Sequence, residues 1–151
     1  MTRIVIAGDH RGIETVRKII AWCEEKGLEA VDLGPKTTES VDYPDYAFPL
    51  VERVLKSAGE EVGVLICGWG NGMAIAANKV KGSRAALCLS RVQAEYSRSH
   101  NNANVLILSA EATGWGMMQE ILDTFLETEF DGGRHKRRLD KIAEYESRDD
   151  K

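Results

Sequence analysis

The feature that most constrains this sequence is a regular alternation of short apolar runs with longer amphipathic segments. Five runs rich in β-branched and aliphatic residues have the length of buried strands, and we predict strands at 3–7, 28–34, 62–67, 83–89 and 104–110. Between and after them, apolar residues recur at helical spacing. We predict helices at 12–27, 45–59, 71–80, 91–100, 113–130 and about 134–147. Pro49 indicates that the second helix starts late or bends.

This order of elements predicts an α/β fold. Continuous apolar strands that alternate with helices form a parallel sheet covered by helices on both faces, with right-handed crossovers. The sequence has no linker, internal repeat or low-complexity stretch. We therefore predict one domain over residues 1–151, with about 143–151 as a flexible tail.

Composition narrows the classes of function. The chain of 151 residues has a formal net charge of -4, which argues against nucleic acid as a partner. Its three cysteines are an odd number without metal-type spacing, so neither a disulfide framework nor a zinc site is indicated. No apolar run has the length of a signal peptide core or a membrane span. We expect a cytoplasmic protein without a membrane partner.

The segments that follow the strands are the candidates for a site, because ligands of open parallel sheets bind beyond the carboxyl ends of the strands. These segments are 8–12, 34–46, 67–73, 90–102 and 109–114. Together they offer the thiol of Cys67, the imidazoles of His10 and His100, several carboxylates and a glycine loop. We expect these groups to meet at one edge of the sheet.

Cys67 and the loop Gly68–Gly72 permit two interpretations. A buried cysteine and a tight strand-to-helix turn are common structural features, and that interpretation suffices for Cys23 and Cys88. Cys67 differs because it ends a strand directly before a glycine loop and a helix. A helix N-terminus there would lower the pKa of a thiol, and backbone N–H groups could stabilise an oxyanion.

The histidines and the basic run also permit two interpretations. His10 is either an anion ligand or acid–base group, or a capping partner for the next helix. His100 ends a helix, where the dipole favours a histidine. His135 is predicted to be solvated within a basic run that is either a solvated helix face or a phosphate clamp. That run contains Arg134, Lys136, Arg137 and Arg138.

Five motifs in order resemble the ribose-5-phosphate isomerase B family, which includes the galactose-6-phosphate isomerase subunits. They are GDH, ESVDYPDYA, ICGxGxGMxIAANKVKGxRAALC, SRxHNxANVL and TEFxGGRHxRR, over about residues 3–142. The resemblance implies a Rossmann-like three-layer α/β/α sandwich with a five-stranded sheet. It also implies a homodimer or dimer of dimers whose C-terminal helix reaches the partner and whose active site is shared across the interface. No metal or organic cofactor is implied.

The resemblance further implies aldose–ketose isomerisation of a sugar phosphate through a cis-enediolate. Cys67 would be the base and His100 would assist ring opening. The amides of 68–72 would hold the enediolate oxygens, and His10 would bind phosphate with two arginines of the partner subunit. The implied substrate-binding residues are Asp9, His10, Tyr43, Gly68, Trp69, Gly70, Asn71, Gly72, Asn101, Arg134 and Arg138.

Four residues depart from the family pattern. Trp69 stands where a hydroxyl residue is usual, and Glu111 stands where an arginine usually contacts the phosphate. Arg11 replaces a small residue, and Asn102 replaces an aspartate. We take Arg11 and Glu111 as candidate specificity residues, with Arg11 either binding phosphate or pairing with Glu111.

The departures leave the substrate open. Ribose 5-phosphate is one candidate, and a tetrose 4-phosphate or hexose 6-phosphate is another. Two other classes of function are a non-catalytic sugar-phosphate sensor and covalent thiol catalysis by Cys67. The sensor would need the glycine loop but neither Cys67 nor His100.

Overall fold

Strands and helices alternate along the chain in the computed structural model, which describes residues 2–148. All five predicted strands are present, and the strands are β1 (Arg3–Gly8), β2 (Ala30–Asp32), β3 (Glu61–Cys67), β4 (Ala85–Leu87) and β5 (Val105–Ser109). The helices are α1 (Ile13–Lys26), α2 (Pro44–Lys56), α3 (Asn71–Ala77), α4 (Arg91–Ser99), α5 (Trp115–Glu127) and α6 (Arg134–Ser147).

The strands form one parallel sheet in the order β2-β1-β3-β5-β4. Side chains of β1 alternate between the two faces, because successive strand residues point to opposite sides. Ile4 and Ile6 pack with α1, α4 and α5, whereas Val5 and Ala7 pack with α2 and α3. The predicted three-layer sandwich is confirmed. Cys23 and Cys88 lie buried on the first of these faces, as predicted.

Some predicted boundaries were wrong. Helix α2 begins at Pro44, and Pro49 lies inside it, so it does not start late. A proline at the first helical position removes no hydrogen bond that the helix could make. The edge strands β2 and β4 have three residues each, shorter than predicted, because each pairs with a neighbour on one side only.

Helix α6 lies outside the two layers of helices that cover the faces of the sheet. Its one buried residue is His135, and the carboxylate of Glu146 near its other end accepts the Gly82 N–H at 3.2 Å. A cavity of about 590 Å³ lies between α6 and the segments before β4 and β5. Helix α6 continues to Ser147, so the first part of the predicted tail is helical, whereas positions 149–151 lie outside the described residues.

Within residues 2–148, no helix has the length and apolar character needed to cross a membrane.

Candidate active site

The carboxyl ends of β1 and β3 lie side by side at the point where the strand order reverses. β1 is followed in sequence by β2 on one side, and the chain then returns to add β3 on the other. The Asp9 N–H donates to the Ile66 carbonyl at 3.1 Å, so the segment after β1 lies against the end of β3. Such a switch point is where open α/β sheets bind ligands.

Cys67 is the last residue of β3, and its sulfur faces the turn that follows. Cys67 is 6% exposed, and its Sγ accepts the Gly70 N–H at 3.2 Å. Gly70 has φ +88°, and a Cβ there would lie 2.5 Å from Leu87 Cδ1. The positive φ favours glycine, and a side chain there would also displace Leu87, so this residue suits the turn that brings an N–H group to the sulfur.

Hydrogen bonds from the end of β5 hold the loop beside Cys67. The Gly68 carbonyl accepts the Ser109 hydroxyl at 2.8 Å and the Glu111 N–H at 2.9 Å. Ser109 is fully buried, and it is a site-supporting residue that the sequence reasoning missed. The available signal was a hydroxyl at the last position of an apolar run.

Tyr43 borders the same loop, and Asp9 lies beside the end of β3. A Cβ on Gly72 would lie 2.7 Å from the Tyr43 ring, so the aromatic face covers the bare backbone of Gly72. Asp9 is 7% exposed, and its carboxylate accepts the Arg11 N–H at 2.9 Å. The structure thus places Tyr43 against the glycine loop and Asp9 beside the end of β3.

His10 connects this edge to the segment before α2. Its Nδ1 accepts the Val41 N–H at 3.1 Å. An imidazole nitrogen that accepts a hydrogen bond carries no proton, so a neutral His10 has its proton on Nε2. The ring can therefore donate from Nε2 to an anion.

Arg11 lies across the start of the glycine loop. A Cβ on Gly68 would lie 3.0 Å from Arg11 Nη1, and Arg11 Nη2 lies 3.4 Å from Glu111 Oε1. The pairing that the sequence raised as one alternative is present, with both side chains about half exposed. Trp69 is 59% exposed, and Asn71 is also exposed at the same rim.

The structure separates His100 from this group. His100 caps the C-terminus of α4, and Asn104, four residues later, accepts the Gly63 N–H near the start of β3. Cys67 lies beside Ser109, at the other end of β5 from Asn104. The five residues of β5 span about 13 Å, so the length of this strand separates the two ends. The prediction that segment 90–102 lies at one edge with Cys67 was wrong for His100 and Asn101. A helix that follows a parallel strand runs back, so its C-terminus returns to the amino edge.

His135 is buried rather than solvated, which corrects the prediction. Its ring stacks on His100 with centroids 4.1 Å apart and planes 11° from parallel. Burial, the neighbouring His100 and the cations Arg134 and Arg138 lower the pKa of His135, against an opposing effect of Asp131. The side chains of both arginines are exposed.

His100, Asp131 and His135 each offer a ligand atom, and these atoms lie within 4.8 Å of one another. The lone pairs of imidazole nitrogens lie in the ring planes. Since the two rings are stacked nearly parallel, their lone pairs do not converge on one point. The geometry therefore favours ring stacking over metal coordination.

Comparison with known proteins agrees with the motifs. The sequence model of the family described as Ribose/Galactose Isomerase matches residues 4–142. A curated relative from Mycoplasma genitalium, named probable ribose-5-phosphate isomerase B, is 47% identical over 145 residues, 95% of each chain.

Solved structures match equally well. A ribose 5-phosphate isomerase from Thermotoga maritima has a TM-score of 0.91 at 48% identity, covering 95% of this chain and 98% of its own. A ribose-5-phosphate isomerase B from Mycoplasma genitalium with bound ribulose-5-phosphate has a TM-score of 0.92 at 44% identity, covering 97% of each chain.

These matches define the class of protein as a sugar-phosphate isomerase. The chain belongs to the ribose/galactose isomerase family, and the resemblance drawn from its motifs is confirmed.

Proposed function

We propose that this chain interconverts ribose 5-phosphate and ribulose 5-phosphate, with Cys67 as the base. The observation that carries the proposal is the position of Cys67 Sγ, buried at the switch point of the sheet and accepting the Gly70 N–H. The family match supports the reaction class. The relative solved with bound ribulose-5-phosphate supports the substrate.

The proposed reaction uses one base on one face of the sugar. The Cys67 thiolate takes the proton from C2 of the open-chain aldose, and the electron pair forms the C1–C2 double bond of a cis-enediolate with charge on O1. The hydroxyl proton of O2 moves to O1, and Cys67 returns its proton to C1 to give the ketose. The carbon acid is weak, so N–H groups of 68–72 would stabilise the oxyanion.

The remaining groups bind and open the sugar. His10 Nε2 would donate to the phosphate together with Arg134 and Arg138, because guanidinium groups match phosphate oxygens. Arg11 lies beside the glycine loop and would add a further cation. His100 would move a proton during opening of the furanose ring.

The site needs two copies of the chain in this proposal. His100 stacks on α6, which also carries Arg134 and Arg138, and this group lies at the opposite edge of the sheet from Cys67. A second copy would bring its His100 group to the Cys67 edge of the first. Ile75, Ile142 and Tyr145 are more than half exposed, and they would supply apolar contact area for a homodimer or dimer of dimers.

A mixing experiment tests the shared site. Cys67→Ala and His100→Gln variants are each expected to be inactive alone. After co-refolding in equal amounts, half of the dimers would be mixed, and each would have one intact site, giving about a quarter of wild-type activity. If the mixture stays inactive although mixed dimers form, His100 does not serve a partner's Cys67.

The first assay measures isomerisation of aldose phosphates with four, five and six carbons, for wild type and Cys67→Ala. We expect turnover of ribose 5-phosphate that requires Cys67. Turnover of a tetrose or hexose phosphate alone would indicate that the exposed Trp69 and the Arg11–Glu111 pair change specificity.

Two further outcomes distinguish the other classes. In D₂O, we expect deuterium at C1 of the ketose product, because the proton on Cys67 exchanges with solvent. A stable covalent adduct on Cys67 with a burst of product would instead favour covalent catalysis. Binding of sugar phosphates without any turnover would favour a sensor.

A further inference from the structure

The ring of His100 contacts two aromatic rings. Tyr96, one helical turn earlier in α4, has its ring centroid 4.6 Å from that of His100 at an interplanar angle of 45°. His135, at the start of α6, lies 4.1 Å away and is nearly parallel at 11°. Offset and stacked rings at these distances attract one another, so the two contacts restrict rotation of the His100 side chain.

The backbone before α6 delivers His135 to this position. The Asp131 N–H donates to the Ser99 carbonyl at 2.9 Å, which attaches the segment to the end of α4. Gly132 and Gly133 then adopt positive φ values of +68° and +56°, a turn that glycine makes without strain. His135 follows two residues later and is 6% exposed, although every other residue of α6 is more exposed.

The direction of the pKa shift of His135 is consistent with a ring that stacks on another histidine. Burial lowers the pKa of His135, and His100, Arg134 and Arg138 lower it further, while Asp131 raises it. Tyr96 contacts His100 from α4 through its phenol ring. A neutral imidazole face attracts an imidazolium, whereas two stacked imidazolium ions would repel one another.

We propose that His135 is a positioning residue for His100: its buried ring, stacked on that of His100, holds the His100 side chain in one orientation. This inference rests on the proposed function, in which His100 acts on the sugar ring. In this role His135 would act through His100 and would not need to contact the substrate. It also couples His100 to Arg134 and Arg138, since all three depend on where the first turns of α6 lie.

The test compares His135→Ala with His135→Phe, which keeps an aromatic face but cannot become charged. Lys136→Ala is the control, because Lys136 is the next residue of α6 and its ammonium pairs with Asp140 on the exposed side. We expect His135→Ala to lower kcat about ten- to hundredfold with KM changed less than about threefold, since a misplaced catalytic group loses rate rather than binding. His135→Phe is expected to restore most of kcat.

Two readouts separate positioning from a purely structural effect. In the wild type, kcat should decline on the acid side as His135 becomes charged beside His100, and this decline should be weaker in His135→Phe. In NMR spectra, the ring protons of His100 should show an upfield ring-current shift that is lost in His135→Ala and retained in His135→Phe.

Several results would overturn the inference. They are an unchanged kcat in a folded His135→Ala variant, a His135→Phe variant no better than His135→Ala, or tight Zn²⁺ binding that needs His135 and opens the stacked pair. Failure of the proposed function is distinguishable, because then the wild type itself would turn over no sugar phosphate while the NMR shift persisted.

Discussion

The guanidinium of Arg11 lies 3.4 Å from the carboxylate of Glu111, joining the segment after β1 to the segment after β5 above Gly68. Both side chains are about half exposed, so solvent screens the pair and its own contribution to stability is small. Because this ion pair is weak, the guanidinium of Arg11 can leave Glu111 and bind a phosphate with little loss of free energy.

Replacement of Arg11 tests this exchange. We expect Arg11→Ala to raise KM for the sugar phosphate about tenfold with a smaller effect on kcat, because a charge-assisted hydrogen bond to the phosphate is lost. Glu111→Gln should lower KM by freeing the guanidinium. Arg17→Ala is the control, since Arg17 forms a similar exposed pair with Glu14 on α1. An unchanged KM in Arg11→Ala would remove Arg11 from the phosphate site.

Gly70→Ala should impair both folding and catalysis. The backbone has φ +88° and the new Cβ would meet Leu87 at 2.5 Å, so we expect a loss of about 3 kcal/mol in the free energy of unfolding by urea. Gly59→Ala is the matched control, because Gly59 has φ +93° with nothing within 4 Å of the new Cβ, and should cost about 1 kcal/mol. Equal losses in the two variants would show that the Leu87 contact relaxes freely.

Glu61 should make stability depend on pH. Its buried carboxylate accepts hydrogen bonds from Arg53 and Arg3, which lower the pKa of Glu61 from its ordinary value of 4.5. A lowered folded-state pKa gives stabilisation that is complete above the ordinary value and is lost as pH falls through the folded value. Glu61→Gln should therefore lower the free energy of unfolding by about 2 kcal/mol at neutral pH.

The measurement is urea unfolding of both proteins across the acid range. The difference in free energy of unfolding between wild type and Glu61→Gln should become smaller as pH falls below 4.5. If this difference in free energy of unfolding does not depend on pH, packing and not the charge of Glu61 accounts for it.

The thiols should differ in reactivity. Burial raises the pKa of Cys23 and of Cys88 to about 11, and both are at most 1% exposed, so neither forms a thiolate readily in the folded protein. We expect iodoacetamide near neutral pH to label Cys67 alone, with loss of activity and protection by substrate. Mass spectrometry of digested wild type and Cys67→Ala checks this, and labelling of Cys23 in native protein would contradict it.

Much of the fold and half of the candidate site follow from local sequence pattern. The five apolar runs predict the five strands, and the residues directly after β1 and β3 predict Asp9, His10 and Cys67 at one edge. Strand ends are local features, because the chain leaves a parallel sheet at the same edge each time. His100 does not directly follow a strand. Helix α4 lies between β4 and His100 and places His100 at the opposite edge of the sheet.

The sequence by itself determined the alternating elements, the family motifs and the thiol at the end of β3, because each depends on residues close together in the chain. Only the tertiary structure decided that Arg11 meets Glu111 and that His135 is buried against His100. These pairs are separated by 100 and 35 residues, and their contacts depend on how whole helices and strands pack, which no local pattern of side chains specifies.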